Sequence, residues 1–147
     1  MVVQAGKLVL IERDRFLLSL WDDPDDPNEG AYDRVEKYRI AVGAKGYNTP
    51  RGVFRVVSKV KNPSWTMPAS DWVPREQWGE VVSGTDPRNP IKERWIGFSP
   101  DDGVGVHGTG DSASIGSAAS HGCIRMRPRD VVELYEQVPL GTPVVVV

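Results

Sequence analysis

The sequence predicts a mainly β domain with one docked α-helix, arranged as a β-sandwich or partly closed barrel. Three observations carry this. Runs of β-branched and aromatic residues recur from Lys7 to the closing Val144-Val145-Val146-Val147. A single stretch, 128–138, shows sustained helical spacing of apolar residues. The length, 147 residues, is that of one ordinary domain with enough chain to build a core, so 1–147 reads as a single domain.

The elements follow in order. Residues 7–11 and 15–21 flank the polar turn Glu12-Arg13-Asp14 and read as a hairpin. The acidic stretch 22–30 carries Pro24 and Pro27 and lacks the glycine and distal glutamate of a calcium loop, so it reads as a solvated surface loop. A short helix is expected around Val35 to Tyr38, then strands over 38–43 and 52–57. In the latter, Val53, Arg55 and Val57 share one face and Phe54 and Val56 the other. Residues 61–94 form a long loop with five prolines, Met67, Trp65, Trp72 and Trp78. The tryptophans bring apolar area that can pack, either as a satellite core or as the wall of a substrate groove. Strands follow over 94–98 and 104–106. In 128–138, Val131, Leu134, Tyr135 and Val138 share a helix face, Pro128 suits the first helical position, and Pro139 with Gly141 stops it. The terminal valines suit a strand buried on both faces.

Composition narrows the function classes. A formal net charge of -2 gives no attraction to nucleic acid or an anionic bilayer. No apolar stretch is long enough to span a membrane. The opening residues lack the pattern of a secretory signal, so the protein is either cytosolic or a mature or excised domain, and the early onset of strand-like sequence favours an excised domain. One cysteine cannot form an internal disulfide.

That cysteine lies in Ser120-His121-Gly122-Cys123-Ile124-Arg125, beside one of the two histidines; the other, His107, is sixteen residues earlier in Val106-His107-Gly108-Thr109. A thiolate is the nucleophilic form of cysteine, and imidazole can take the thiol proton and return it to a leaving amine. His107 is the candidate base, and the adjacent Gly108 carbonyl its candidate orienter. The N–H groups of Gly122 and Cys123 are candidate oxyanion donors, since a glycine lets a substrate carbonyl approach the main chain. His121 shapes the pocket or donates a hydrogen bond. Arg125 shares the face of Cys123 if the segment is extended, and its guanidinium suits a substrate carboxylate. Arg127 and Arg129 read as a solvated rim. A zinc site from His107, His121 and Cys123 is the competing reading, but the spacing fits no usual zinc signature and no glutamate adjoins it. No metal or cofactor is expected.

The constellation resembles the L,D-transpeptidase catalytic domain of the YkuD type. Beyond the cysteine motif and Ile115-Gly116, the landmarks Val42-Gly43, Asn48-Thr49-Pro50-Arg51-Gly52-Val53-Phe54, Pro63-Ser64-Trp65, Asn89-Pro90-Ile91 and Leu134-Tyr135 to Val144 match in order. The resemblance implies a β-rich fold and a cysteine peptidyltransferase acting on peptidoglycan stem peptides. It implies attack by Cys123 on the amide between meso-diaminopimelate and a terminal D-alanine, a thioester, and resolution by a second stem's amine into a 3→3 crosslink. His107 would then be the base and Gly108 its orienter. Gly122 and Cys123 would form the oxyanion site with help from His121, and Arg125, Ser120 and Trp65 would meet substrate or support the loop. It further implies inhibition by carbapenems and a place in the cell envelope. Lys92 and Glu93 depart from the pattern, which has glycine after Asn-Pro-Ile. Hydrolysis by the same site, as a carboxypeptidase or crosslink-cleaving peptidase, is the runner-up, and a non-enzymatic wall-binding module a more distant one.

Overall fold

The computed structural model describes residues 6–22 and 33–147. The acidic stretch after Asp22 lies outside them. Thirteen strands and one α-helix are assigned among the described residues: β1 Lys7–Glu12, β2 Leu17–Asp22, β3 Asp33–Arg39, β4 Val42–Gly43, β5 Gly52–Arg55, β6 Ser58–Lys61, β7 Trp65–Thr66, β8 Val81–Val82, β9 Lys92–Gly97, β10 Gly105–Gly108, β11 Ala118–Ser120, β12 Ile124–Met126, α1 Pro128–Gln137 and β13 Pro143–Val146.

Two sheets carry the molecule. The larger runs β3-β2-β1-β13-β5, and the second β12-β10-β9-β6. The hairpin β1–β2 is antiparallel as expected, with Val9 opposite Leu20 and Ile11 opposite Leu18. The terminal strand β13 inserts between β1 and β5, parallel to β1. Its Val144 and Val146 are buried while Val145 is half-buried, so one face is fully covered and the other partly. Two-stranded ribbons, β4 with β11 and β7 with β8, complete the strand pairing.

None of these sheets closes on itself, so the barrel alternative gives way to open sheets around a shared core. That core joins Val9, Ile11, Leu18 and Leu20 of the larger sheet to Ile96, Val106, Ile124 and Met126 of the second, with Val131, Leu134 and Val138 from α1 and its C-terminal end. The helix forms where the spacing predicts it, with Pro128 in its first turn, and packs on β9 and β10. It thereby braces the strands that hold the site.

Three local expectations change. Val35 to Tyr38 lies in β3, paired antiparallel with β2, not in a helix. Four consecutive side chains, Arg34, Val35, Glu36 and Lys37, are exposed, and only Tyr38 is buried. Charged residues on an edge strand guard it against pairing with another chain, and pairing with β2 decides the structure where local periodicity is weak. The strand expected over 38–43 is two elements: the chain turns at the fully buried Ile40 and Ala41 to leave one sheet and enter the ribbon with β11.

The stretch 61–94 is an organised excursion, not a bare loop. It contains the β7–β8 ribbon and a small core of Met67, Val73 and Val82 against which Trp65 packs. Asn89 ties its ends together. The buried amide donates to the Pro63 carbonyl at 2.9 Å and the Ser83 carbonyl at 3.1 Å, and accepts from the Ile91 N–H at 2.9 Å. At the departure from the family pattern, Glu93 adopts φ +68°, a conformation that glycine takes without penalty and other residues at roughly 1–2 kcal/mol.

Candidate active site

Between the second sheet and the 61–94 excursion lies a groove of about 780 Å³. Cys123, His107, His121, Ser120 and Arg125 line it together, with Trp65, Trp72 and Trp95 among the aromatic lining. The strand register explains the convergence. β10 and β12 are parallel, with Val106 opposite Ile124 and His107 opposite Arg125. Cys123 directly precedes β12. Because side chains alternate, Cys123 and Arg125 project to the side on which His107 lies.

His107 is 5% exposed. Its Nδ1 is 2.8 Å from the Gly108 carbonyl oxygen. A carbonyl only accepts, so Nδ1 carries the proton and Nε2 keeps its lone pair. The indole of Trp95 stacks on the imidazole, with centroids 6.1 Å apart and planes at 20°. Burial drives the imidazole pKa down to about 4, the Gly108 bond partly opposes this, and the Arg125 charge adds to the lowering. His107 is therefore neutral at physiological pH.

Cys123 is half-buried, with Sγ 3.8 Å from the Gly103 carbonyl. Burial pushes the thiol pKa up, while the Gly105 N–H and the Arg125 charge pull it down. The resting pair is thus neutral thiol and neutral imidazole, with Arg125 favouring thiolate over imidazolium. Alkylation of Cys123 by iodoacetamide should accordingly follow a pH profile displaced above that of an ordinary thiol. A plateau already present at neutral pH would contradict this.

The same burial has a stability consequence. The folded imidazole titrates near 4, against about 6.5 in an unfolded chain. Between those values the unfolded state binds more protons, so stability is intact above the unfolded pKa and falls as pH drops through the folded one. The full loss is about 3 kcal/mol. In urea titrations from pH 7 to pH 4, His107→Gln should lose correspondingly less stability than the parent.

The cysteine loop is built by three contacts. Gly122 has φ +121°, which a side chain would strain. Its carbonyl accepts a 2.7 Å bond from the buried Thr49 hydroxyl, which itself accepts from the Gly43 N–H at 3.0 Å. The Ser120 hydroxyl donates to the Cys123 carbonyl and accepts the Gly122 N–H at 3.2 Å. One of the two expected oxyanion donors is thereby occupied in this arrangement. The Gly122 N–H is already engaged by Ser120, whereas the Cys123 N–H has no backbone partner among the described residues.

His121 is exposed and stacks face to face on Trp72, centroids 3.9 Å apart at 8°, with Tyr47 edge-on at 4.8 Å. Trp72 also stacks on Trp65 at 6.1 Å. Tyr47 donates to Asp71 at 2.9 Å. His121 therefore fastens the 61–94 excursion over the cysteine loop. Trp65 serves both expected roles, packing on the small core and lining the groove. Trp78 is on neither; its indole donates to the Val73 carbonyl at 3.1 Å. Arg125 Nη1 lies 4.0 Å from Asp111, a long ion pair that leaves the guanidinium available to the groove. No three His, Cys, Asp or Glu side chains converge as metal ligands among the described residues. No described helix is long and apolar enough to cross a membrane.

Several of these contributors carry no local signal. Trp95 and Gly103 lie outside both motifs, and Tyr47 is an ordinary surface-loop residue in sequence, whereas Gly105 directly precedes the His107 motif and Trp72 is one of the tryptophans expected at a groove wall. Thr49 could have been found, because it belongs to the threonine-proline landmark already quoted.

Comparison with known proteins identifies the family and the fold. The model of the L,D-transpeptidase catalytic domain (YkuD) matches residues 6–146. YqjB of Bacillus subtilis, named as an L,D-transpeptidase, is 36% identical over 113 residues, covering 74% of this chain and 57% of that protein. ErfK/SrfK of Escherichia coli, likewise so named, is 31% identical over 136 residues, covering 88% of this chain and 41% of that protein. The chain thus spans about half the length of such relatives. An L,D-transpeptidase from Mycobacterium smegmatis superposes with a TM-score of 0.73 at 23% identity, covering 97% of this chain and 59% of that one. LdtMt1 in complex with imipenem gives 0.72 at 17%, with the same coverages. These two share the fold. With the family model covering nearly the whole sequence, the chain belongs to the L,D-transpeptidase catalytic domains of the YkuD type.

Proposed function

We propose that this domain transfers acyl groups between peptidoglycan stem peptides in the cell envelope, through a thioester on Cys123. The observation that carries the reading is a half-buried thiol and a carbonyl-oriented neutral imidazole in one groove.

In the first half-reaction His107 Nε2 takes the thiol proton as Sγ attacks the carbonyl joining diaminopimelate to the terminal D-alanine. The S–C bond forms and negative charge gathers on the carbonyl oxygen. The Cys123 N–H is the ready donor for it. The Gly122 N–H joins once the Ser120 hydroxyl releases it, and His121 closes that side of the loop. On collapse the C–N bond breaks, and His107 gives its proton to the departing D-alanine amine. In the second half the amine of another stem attacks the thioester, the C–S bond breaks, and the proton returns to sulfur through His107. The product is a 3→3 crosslink. Arg125 supplies a guanidinium for a substrate carboxylate, and Trp65 an apolar wall.

A neutral base suits this sequence of steps, because an imidazole already protonated could not start it. The imipenem complex of LdtMt1 supports reading the groove as one that takes carbapenems.

Incubation with a diaminopimelate-containing tetrapeptide should release D-alanine and, with an acceptor stem present, yield a crosslinked dimer. Incubation with imipenem should add the mass of one inhibitor to the protein. Tripeptide without dimer would replace transfer by hydrolysis. Neither D-alanine release nor adduct would overturn the reading.

A further inference from the structure

Among the residues lining the groove, the charges are few. Arg125 is the sole Arg or Lys and Asp102 the sole Asp or Glu. Asp102 is not an incidental rim residue. It sits at φ +58° in the turn between β9 and β10, adjacent to Gly103, whose carbonyl is 3.8 Å from Cys123 Sγ. The turn is cross-braced: the Asp102 N–H donates to the Ser99 carbonyl at 2.9 Å, the Gly103 N–H to Asp101 at 3.1 Å, and the Val104 N–H to the Ser99 hydroxyl at 2.8 Å.

The carboxylate is held as firmly as the backbone. Oδ1 accepts from the Ser58 hydroxyl at 2.6 Å and from the Trp95 indole N–H at 3.1 Å. It fills the niche over Gly97, where any Cβ would overlap it. Oδ2 has no hydrogen bond or ion pair among the described residues. One oxygen is thus fixed by the protein, and the other is left open on a side chain that lines the groove. A carboxylate uses its full acceptor capacity when a cationic donor reaches the open oxygen.

We propose that Asp102 is a specificity residue that binds an ammonium group of the substrate, while Arg125 takes its carboxylate. The groove would then select a peptide bearing a free α-amino acid zwitterion. This rests on the proposed function in that the free end of a diaminopimelate side chain is such a zwitterion. Ser58 and Trp95 are positioning residues for it.

Asp102→Asn tests the charge with little else changed. Asparagine tolerates a left-handed backbone, and its amide oxygen can accept from Ser58 and Trp95 as Oδ1 does. Binding is measured by calorimetry in the Cys123→Ala background, so that no turnover intervenes. The ligands are the tetrapeptide with its side-chain amine free and the same peptide N-acetylated there.

Losing a charge-assisted hydrogen bond at an exposed site should weaken the free-amine peptide about tenfold and leave the acetylated one unchanged. Equal weakening of both, or of neither, overturns the proposal. Equal weakening together with a shifted iodoacetamide profile in the Asp102→Asn single variant would instead make Asp102 a support for Trp95 and His107. If the contrast holds but the parent releases no D-alanine, the acyl-transfer reading fails and the ammonium site stands.

Discussion

Replacing His107 with glutamine should slow imipenem acylation of Cys123 by roughly 10²–10⁴-fold, the range that a positioned general base contributes. Intact-mass time courses check it, with Cys123→Ala giving no adduct at any time. Glutamine can occupy the buried site and donate to the Gly108 carbonyl, so geometry is largely kept. It cannot accept and return a proton. The resting thiol is protonated because burial raises its pKa, and nothing beyond the Gly105 N–H and the Arg125 charge is arranged to lower it. Proton removal at the moment of attack therefore falls to His107. In the variant, the residual rate should rise with pH as free thiolate forms, whereas the parent rate should be nearly flat above the His107 pKa of about 4. Equal rates in variant and parent at pH 7 would remove His107 from the chemistry. Because the variant also escapes the acid destabilisation described above, a folding defect cannot stand in for the kinetic one at low pH.

Legibility in the sequence followed the reach of each interaction. The hairpin β1–β2 and the helix α1 are specified by neighbours: a short polar turn between apolar runs, and a proline-headed segment with Val131, Leu134 and Val138 on one face. The local surroundings of the proposed catalytic residues are legible for the same reason. Gly108 is adjacent to His107, and Ser120, Gly122 and Cys123 lie in one hexapeptide. The edge strand β3 was not legible. Its exposed charges give no alternation, and its state is set by hydrogen bonds to β2. The interior of 61–94 depends on Asn89 reaching back to Pro63, 26 residues away. The surroundings of His107 and of the loop beside Cys123 are equally remote. Trp95 reaches His107 across β9 and β10, and Ser58 meets Asp102 from 44 positions away. Nor could the sequence show that the Ser120 hydroxyl would turn toward Gly122 and occupy one of the two expected oxyanion donors. Rotamers of that kind are settled only once the loop is packed.

Thr49→Val should lower stability by about 2–4 kcal/mol and slow acylation at the same time. The side chain is 1% exposed and joins two segments 73 residues apart, accepting from the Gly43 N–H and donating to the Gly122 carbonyl. Valine matches the shape but satisfies neither partner, and a buried polar group left alone costs about 1–3 kcal/mol. Neither partner has an easy escape. A Cβ added at Gly43 would overlap the Tyr47 carbonyl and stand 2.7 Å from the Thr49 nitrogen, so the 43–49 loop has no slack. Gly122 is held at φ +121° against that loop. Its relaxation would move the peptide unit whose neighbour supplies the nucleophile and the oxyanion donor. Urea denaturation and the imipenem time course read the two effects separately. Thr49→Ser keeps the hydroxyl and gives up a methyl group, so it should recover most of the acylation rate while remaining below the parent by about 1 kcal/mol. If the valine variant lost stability but acylated at the parent rate, Thr49 would be a fold residue with no hold on the cysteine loop. If serine failed to rescue, the methyl packing and not the paired hydrogen bonds would be what positions Gly122.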